Sequence, residues 1–285
     1  MNDTSPDPRP VLVLGGTGTS GRRVARRIAA AGCPVRIGSR RAGPAFDWSE
    51  PATWGPVLDG TRAAYLAFAP DLAVPGAPGA VAALAGLARE RGLERLVLLS
   101  GRGEEQAQRA EEAVRAAGAP VPVTVVRASF FMQDFDEKFL VEDVRAGLVR
   151  LPVDELVREP FVDVEDVADV AAAALLDERH AGATYEVTGP QLLSFPEALE
   201  RISTATGRAV RYERVPAQQH AEELAAQGVP AEVVSLLRYL FTEVLDGRGQ
   251  HLGDGVRRAL GRPARPFEEY ARRAAAGGAW DRCAS

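Results

Sequence analysis

The feature that most constrains the fold is a glycine-rich turn near the start of the chain. The apolar run 11–14 (VLVL) leads into Gly15, Gly18 and Gly21, spaced G-x-x-G-x-x-G before an arginine-rich amphipathic stretch. In such a unit the first glycine allows a tight turn, the second admits a pyrophosphate, and the third brings helix and strand close. The helix N-terminus adds N–H groups and a partial positive charge. This order favours a dinucleotide site over a merely flexible connection.

Short apolar runs alternate with helical patterns along most of the chain. The runs that read as strands are 11–15, 35–39, 63–69, 95–100, 123–129 and 184–189, and the helical stretches are 20–31, 76–92, 104–117 and 165–178. Near-continuous apolar strands separated by helices predict an α/β fold with a doubly wound parallel Rossmann sheet. After residue 191 helices predominate, with one strand-like piece, AVRYERV.

This pattern predicts three segments. Residues 1–9 form a disordered tail, and residues 10–190 form the NAD(P)-binding core, within which 130–160 contributes partly to a substrate pocket. Residues 191–285 form a smaller, mainly helical substrate or lid lobe.

Composition excludes several classes of partner. The net charge of −5 does not suit a nucleic-acid backbone. Cys33 and Cys283 lie far apart, which argues against a disulfide framework or a metal site and favours a reducing cytoplasm. No apolar run approaches the length of a membrane span. We therefore expect a cytoplasmic monomer or homodimer that acts on a small molecule, without nucleic acid, membrane or metal.

The end of the second predicted strand indicates which dinucleotide binds. An NAD site usually places Asp or Glu there to hold the ribose hydroxyls. This strand ends in GSRRAG, and no acidic residue lies between Gly21 and Asp47. Ser39 and Arg40 instead offer a hydroxyl and a guanidinium to a 2′-phosphate. The pattern favours NADP(H), with a solvated basic turn as the alternative.

Longer stretches of the sequence resemble one family. These stretches are GGTGTSGR, FDWSEPATW, RLVLLSG, AEEAVRAAGAPVPVTVVRASFFMQDF, PFVDVEDVADVAAAAL and YEVTGPQLLSFPEALERISTATGR. Together they resemble the NmrA-like, atypical branch of the short-chain dehydrogenase/reductase superfamily. Within it, the chain is most similar to quinone-reductase-like members and to reductases of the festuclavine-synthase kind.

The resemblance implies a cofactor track along the carboxyl ends of the strands. The residues that it implies at the pyrophosphate are Gly15, Thr17, Gly18, Thr19, Ser20 and Gly21. Those implied at the adenosine end are Ser39, Arg40, Asp47 and Trp48. Those implied at the ribose and nicotinamide are Phe68, Ala69, Pro70, Ser100, Gly101, Ser129 and Phe130. Candidate substrate contacts are Phe131, His220 and Tyr239. For Phe130 and Phe131 ordinary core packing is the alternative, and for His220 a surface position.

One departure concerns catalysis. Orthodox members of the superfamily place a lysine four residues after a catalytic tyrosine. No tyrosine here is followed in this way, and Lys138 is the only lysine. Hydride transfer itself depends mainly on positioning, and an iminium or quinone acceptor relaxes the need for a proton donor. Ser100 remains the candidate catalytic residue, as a hydrogen-bond donor to substrate, with a local structural role as the alternative.

These observations predict an NADPH-dependent oxidoreductase that reduces a small iminium, quinone, enone or ketone in specialised metabolism. Two other functions stay open. One is a non-catalytic NADP(H)-sensing regulatory protein, and the other is an NADP-binding cyclase or isomerase without net redox chemistry.

Overall fold

The computed structural model describes residues 7–281, whose helices and strands alternate through most of the chain. The strands are β1 (Val11–Leu14), β2 (Val35–Gly38), β3 (Ala63–Leu66), β4 (Arg95–Gly101), β5 (Val123–Ala128), β6 (Leu148–Leu151), β7 (Arg158–Glu159), β8 (Thr184–Val187), β9 (Leu193–Ser194) and β10 (Arg211–Arg214). The helices are α1 (Gly21–Ala30), α2 (Trp54–Leu58), α3 (Ala77–Glu90), α4 (Glu105–Gly118), α5 (Val141–Ala146), α6 (Val164–Leu176), α7 (Phe195–Thr206), α8 (Ala217–Ala226), α9 (Ala231–Tyr239), α10 (Gly255–Leu260) and α11 (Phe267–Ala276).

The chain divides into two compact units. The first unit contains the residues up to Ala128 together with Glu165–Val187 and Asp254–Arg262. The second unit contains Ser129–Val164, Thr188–Gly253 and the residues from Pro263 onward. The chain passes repeatedly from one unit to the other, so the division does not coincide with the single boundary predicted at residue 190.

The first unit is built on a six-stranded sheet in the order β2-β1-β3-β4-β5-β8, with every neighbouring pair parallel. Both faces are covered: Leu12 and Leu14 lie in one apolar core, whereas the equally buried Val11 and Val13 alternate to the opposite face. β1 pairs with β2 on one side and β3 on the other, which creates the topological switch point of a doubly wound sheet. The predicted fold class is confirmed.

Helices of the first unit are held by apolar and by charged contacts. Buried residues of α3 and α4 share the apolar core, Leu84 and Val114 among them. Ion pairs join α1 to α6, since Arg23 Nε donates to Glu165 Oε1 at 2.6 Å and Arg27 pairs with Glu165 and Asp169. The two guanidinium groups hold the pKa of the Glu165 carboxyl at about 2, although its burial opposes them.

The second unit combines two small sheets with an aromatic core. β6 pairs in parallel with β10, and β7 pairs antiparallel with β9. The largest fully buried side chains of its core are phenylalanines and a tyrosine, Phe135, Phe161, Phe195, Phe241, Phe267 and Tyr270. Buried Gln133 is satisfied at both ends, because its Nε2 donates to Asp163 Oδ1 at 2.9 Å and its Oε1 accepts from the Val164 N–H at 2.8 Å.

The described residues include only the last part of the predicted N-terminal tail, residues 7–9. Most of the predicted tail, residues 1–6, lies outside the described residues, as does Cys283. Arg9, placed in that tail by the sequence, instead pairs with Asp7 and with Glu94. Among residues 7–281 no helix is both long enough and apolar enough to cross a bilayer.

Candidate functional site

The turn between β1 and α1 has a geometry that only glycine permits at two positions. Gly15 has a φ of +68°, in the left-handed region, and its carbonyl accepts from the Gly18 N–H at 2.8 Å. A Cβ on Gly21 would lie 2.2 Å from the Gly15 carbonyl oxygen. The absence of a side chain at Gly21 is therefore what allows α1 to start directly against the end of β1.

The front of this turn has the features of an anion cradle. A Cβ on Gly18 would meet only the Gly15 oxygen, at 3.2 Å, so the space it points into is otherwise open. Ser20, the N-cap of α1, makes no capping bond with its side chain, and the first turn contains no acidic residue. Thr17 is exposed, whereas Thr19 and Ser20 are buried. A diphosphate would therefore meet backbone N–H groups and a helix N-terminus, which suits its charge.

The loop after β2 presents the cation predicted to read the 2′-phosphate. Arg40 is exposed, and the half-buried Ser39 starts a turn in which its carbonyl accepts from the N–H groups of Ala42 and Phe46. Hydrogen bonds from Ser49 lower the pKa of Asp47, and the charge of Arg40 lowers it further. Arg40 thus acts electrostatically on the residue predicted to lie near the adenine.

An aromatic cluster connects the loops that follow β2 and β3. The Trp48 ring lies 4.8 Å from the Phe68 ring and 5.0 Å from the Phe46 ring, between centroids. Trp48 Nε1 donates to the Ala67 carbonyl at 3.2 Å. Beyond Phe68, Ala69 and Pro70 are exposed at the carboxyl edge of the sheet. The structure therefore brings Trp48 and Phe68, predicted separately, into one surface.

Ser100 has a different environment from the one predicted. Ser100 is 3% exposed and its hydroxyl donates to Glu111 Oε1 at 2.6 Å, while Arg127 forms a bidentate pair with the same carboxylate. The group ties β4, α4 and β5 together. Because its proton is committed to a buried carboxylate, the structure gives Ser100 a structural role and no support for the predicted catalytic one.

In the second unit, two of the residues predicted at the nicotinamide end have structural partners. The Ser129 hydroxyl donates to the Pro160 carbonyl at 2.6 Å and is buried. The Phe130 ring contacts four other phenylalanine rings, at positions 139, 161, 195 and 241. Phe131 is half-buried and forms a parallel bridge with Val162. Most of the contacts of the Phe130 ring are therefore with the aromatic core of the second unit, as the core-packing alternative predicts.

The predicted substrate residues of the later chain also lie in the second unit. His220 on α8 is 9% exposed, so the surface alternative is wrong, and burial lowers its pKa. Its ring meets the Phe241 ring edge-on at 5.6 Å. Tyr239 is half-buried at the end of α9. Phe241 also lines a cleft of about 610 Å³ with Val157, Val215 and the ion pair of Arg214 and Asp154.

Sequence reasoning missed an acidic pair in the first unit. Asp71 follows β3 and Glu104 follows β4, the neighbouring strand. Burial, with a smaller contribution from the adjacent Asp71 carboxyl, raises the pKa of Glu104 to about 9. The available signal was the placement of an acid shortly after each of two adjacent strands. Among residues 7–281, no three His, Cys, Asp or Glu side chains are grouped to hold a metal ion.

The fold and the glycine turn define a class, the doubly wound α/β proteins with a dinucleotide-type first crossover. Within that class the chain belongs to the NmrA-like family, whose sequence model matches residues 105–253. This confirms the resemblance seen in the sequence.

Relatives of known name match almost the whole chain. The NAD(P)H azoreductase of Xenophilus azovorans is 30% identical over 292 residues, covering 93% of this chain and 98% of the relative. Festuclavine synthase II of Penicillium roqueforti (strain FM164) is 28% identical over 282 residues, with 92% and 96% covered. Both relatives are therefore similar to this chain across both units.

A solved structure matches to the same extent. The NADPH-dependent quinone oxidoreductase of Escherichia coli, crystallised with NADPH, aligns with a TM-score of 0.73 at 15% identity. The alignment covers 92% of this chain and 99% of that one. At this identity the likeness establishes the shared fold.

Proposed function

We propose that the protein is an NADP(H)-dependent reductase that transfers a hydride to a small organic acceptor. The observation that carries the proposal is the first crossover, where Gly15, Gly18 and Gly21 leave an open cradle in front of a helix N-terminus. The names of its relatives, an azoreductase and a festuclavine synthase among them, support the same chemistry.

Residues of the first unit support the binding of the diphosphate and adenosine parts of NADP(H). Backbone N–H groups at residues 17 and 19–21 would hold the diphosphate, because a carboxylate neither caps nor fills that end of α1. Exposed Arg40 would hold the 2′-phosphate, and Trp48 and Phe68 would border the adenosine and ribose. The bound cofactor supplies the hydride, and the protein supplies position and charge.

The acceptor we propose is an iminium, quinone, enone or ketone of specialised metabolism. The aromatic side chains of the second unit suit such molecules, since Phe130, Phe139 and Phe241 form a contiguous cluster whose Phe139 is 43% exposed. The cleft beside Phe241 falls in the volume range of small-molecule sites.

The test is consumption of NADPH by the purified protein with a panel of imines, quinones, enones and ketones. The matched control is Gly18→Val, whose Cβ would point into the cradle and meet only the Gly15 carbonyl oxygen, at 3.2 Å. We expect turnover with at least one acceptor and a loss of NADPH binding of about 100-fold or more, roughly 2.7 kcal/mol, in the variant.

Three outcomes would contradict the proposal. Tight NADPH binding without reduction of any acceptor would favour the sensor. Product formation without cofactor consumption would favour the cyclase or isomerase. Unchanged NADPH affinity in Gly18→Val would place the dinucleotide elsewhere.

A further inference from the structure

Asp71 and Glu104 form an acidic pair at the edge of the sheet where the proposed cofactor would lie. They follow the adjacent parallel strands β3 and β4, so both stand at the carboxyl edge, next to the switch point between β1 and β3. Glu104 is 6% exposed, whereas Asp71 is half-buried. One member of the pair is therefore enclosed, and the other reaches solvent.

The Glu104 carboxyl lies in a space that a glycine leaves for it. A Cβ on Gly101 would come within 1.7 Å of Glu104 Oε1. Glu104 Oε2 is buried and meets no hydrogen-bond donor. Although Glu104 is the N-cap residue of α4, its side chain accepts no bond from the N–H groups of that helix. The contacts that normally stabilise a carboxylate are absent from this side chain.

The charged groups around Glu104 do not compensate its burial. The Asp71 carboxyl repels a charge on Glu104, and this repulsion adds to the larger effect of burial on the Glu104 pKa. The flanking residues point elsewhere: Arg102 donates to Glu186 at 3.3 Å, and Glu105 pairs with Arg109. In the described part of the chain, no cation acts on Glu104 to favour its ionised form.

The pair therefore holds a proton at neutral pH. Two ionised carboxyl groups close to each other repel, so protonation of one of them relieves both the repulsion and the cost of a buried charge. The enclosed Glu104 is the protonated member, because desolvation penalises charge there more than at half-buried Asp71. The N-terminus of α4 favours the ionised form, but such an effect is small beside the cost of full burial.

We propose that Glu104 is the proton donor of the reductase and that Asp71 connects it to solvent. This inference rests on the proposed function. In the reduction, the acceptor carbon gains the hydride with its two electrons, the Glu104 O–H bond breaks, and the proton goes to the acceptor heteroatom. The pair then regains one proton from solvent through Asp71, so one hydride and one proton are consumed in each turnover.

The other candidate donors support this assignment. Lys138 is the only lysine and Asp134 stands four residues before it, so no tyrosine has a lysine four residues further on. The Ser100 hydroxyl is committed to Glu111. Glu104 lies three residues after the end of β4, the strand that contains Ser100, and directly before the first residue of α4.

The first test needs no cofactor and measures unfolding against pH. The unfolded chain releases the Glu104 proton above its ordinary pKa of 4.5, whereas the folded chain keeps it until about 9. Wild-type stability should therefore fall as the pH rises from about 5 to 9, by up to tenfold in the folding equilibrium per pH unit. Glu104→Gln should lose this slope, and the matched control Glu105→Gln, exposed on α4, should keep it. Parallel profiles for wild type and Glu104→Gln would overturn the proposal.

The second test measures turnover with NADPH and an acceptor that the wild type reduces. We expect kcat to fall by about 100-fold or more in Glu104→Gln, with an unchanged Kd for NADPH. The wild-type kcat should decline on the alkaline side near the Glu104 pKa. Asp71→Asn should move that decline to lower pH, because removing a negative charge makes Glu104 easier to ionise.

The outcomes separate the two proposals. A Glu104→Gln variant with wild-type kcat overturns the donor role and leaves the reductase intact. A wild type that binds NADPH but reduces no acceptor overturns the proposed function, and the donor role with it. An alkaline limb that Asp71→Asn leaves in place removes Asp71 from the proton path.

Discussion

The crossover after β1 and the crossover after β4 leave the same sheet at the same edge, and each begins a helix of ten or more residues. The first has glycines and no carboxylate at its helix N-terminus, so it presents backbone N–H groups to the outside. The second encloses the Glu104 carboxyl over Gly101 and commits Ser100 to Glu111. Two loops at one edge of the sheet, whose strands are separated by β3, thus offer an anion cradle and a buried acid.

The difference shows how glycine can serve opposite ends in one fold. In the first crossover, the missing side chains let backbone approach backbone and leave room for a ligand. In the second, the missing side chain of Gly101 makes room for a side chain of the protein itself. The first loop is therefore suited to binding the cofactor diphosphate. The second is suited to holding the proton that we propose Glu104 donates to the acceptor.

The largest expected effect is a loss of stability at Gly21, the glycine of the first crossover that is required for packing and not for contact with a ligand. Gly21→Ala should lower the free energy of unfolding by about 3 kcal/mol or more, because its Cβ would lie 2.2 Å from a backbone oxygen that cannot move aside. Helix propensity alone predicts the opposite sign, a gain of about 1 kcal/mol. The control is Gly79→Ala on α3, where a Cβ meets nothing within 4 Å. Equal thermal stability of the two variants would contradict the close approach of α1 to β1.

An effect of intermediate size tests whether the ligand of the first crossover extends to the loop after β2. Arg40→Ala should weaken NADPH by about 1–3 kcal/mol, which is about 5- to 150-fold in Kd, and leave NADH almost unchanged. Calorimetry with both cofactors measures this, and Arg41→Ala, the exposed neighbour, serves as control. Equal losses for the two cofactors would show that Arg40 does not read the 2′-phosphate.

The smallest expected effect sharpens the description of the second crossover. Ser100→Ala should cost about 1–2 kcal/mol of unfolding free energy, because it removes a hydrogen bond to the buried Glu111 carboxylate. Turnover should stay within about twofold, since Arg127 still holds that carboxylate. Chemical denaturation and steady-state kinetics measure the two quantities, with exposed Ser235→Ala as control. A large fall in kcat at unchanged stability would return Ser100 to the catalytic residues.

The sequence was sufficient for the sheet of the first unit, because strands buried on both faces are near-continuous apolar runs. All six of its strands were predicted within a few residues. The strands β7 and β9 were not, since each has two residues and too little pattern to detect. β6, at four residues, was missed as well, although its partner β10 was recognised as a strand-like piece.

In the candidate site, too, the residues set by local structure could be predicted, whereas those set by contacts between distant segments could not. Gly15 and Gly21 are required by the backbone conformation of a single short turn. Their spacing along the sequence is therefore enough to predict them. The burial of Glu104 depends on Gly101 and on Asp71, which a different strand delivers. The partner of Ser100 comes from α4, and the burial of His220 depends on Phe241 from another segment. Contacts of this kind have no periodic signature along the chain.

The late position of β8 in the chain has a consequence for biosynthesis. This strand covers the edge of β5 between Val125 and Ala128, yet it begins only at Thr184, after the chain has passed through residues 129–164. While the ribosome makes those residues, a nascent sheet would expose a row of unpaired N–H and C=O groups on β5, an open template for another polypeptide. The yield of native protein from a cell should therefore depend on how well that edge is shielded until β8 emerges.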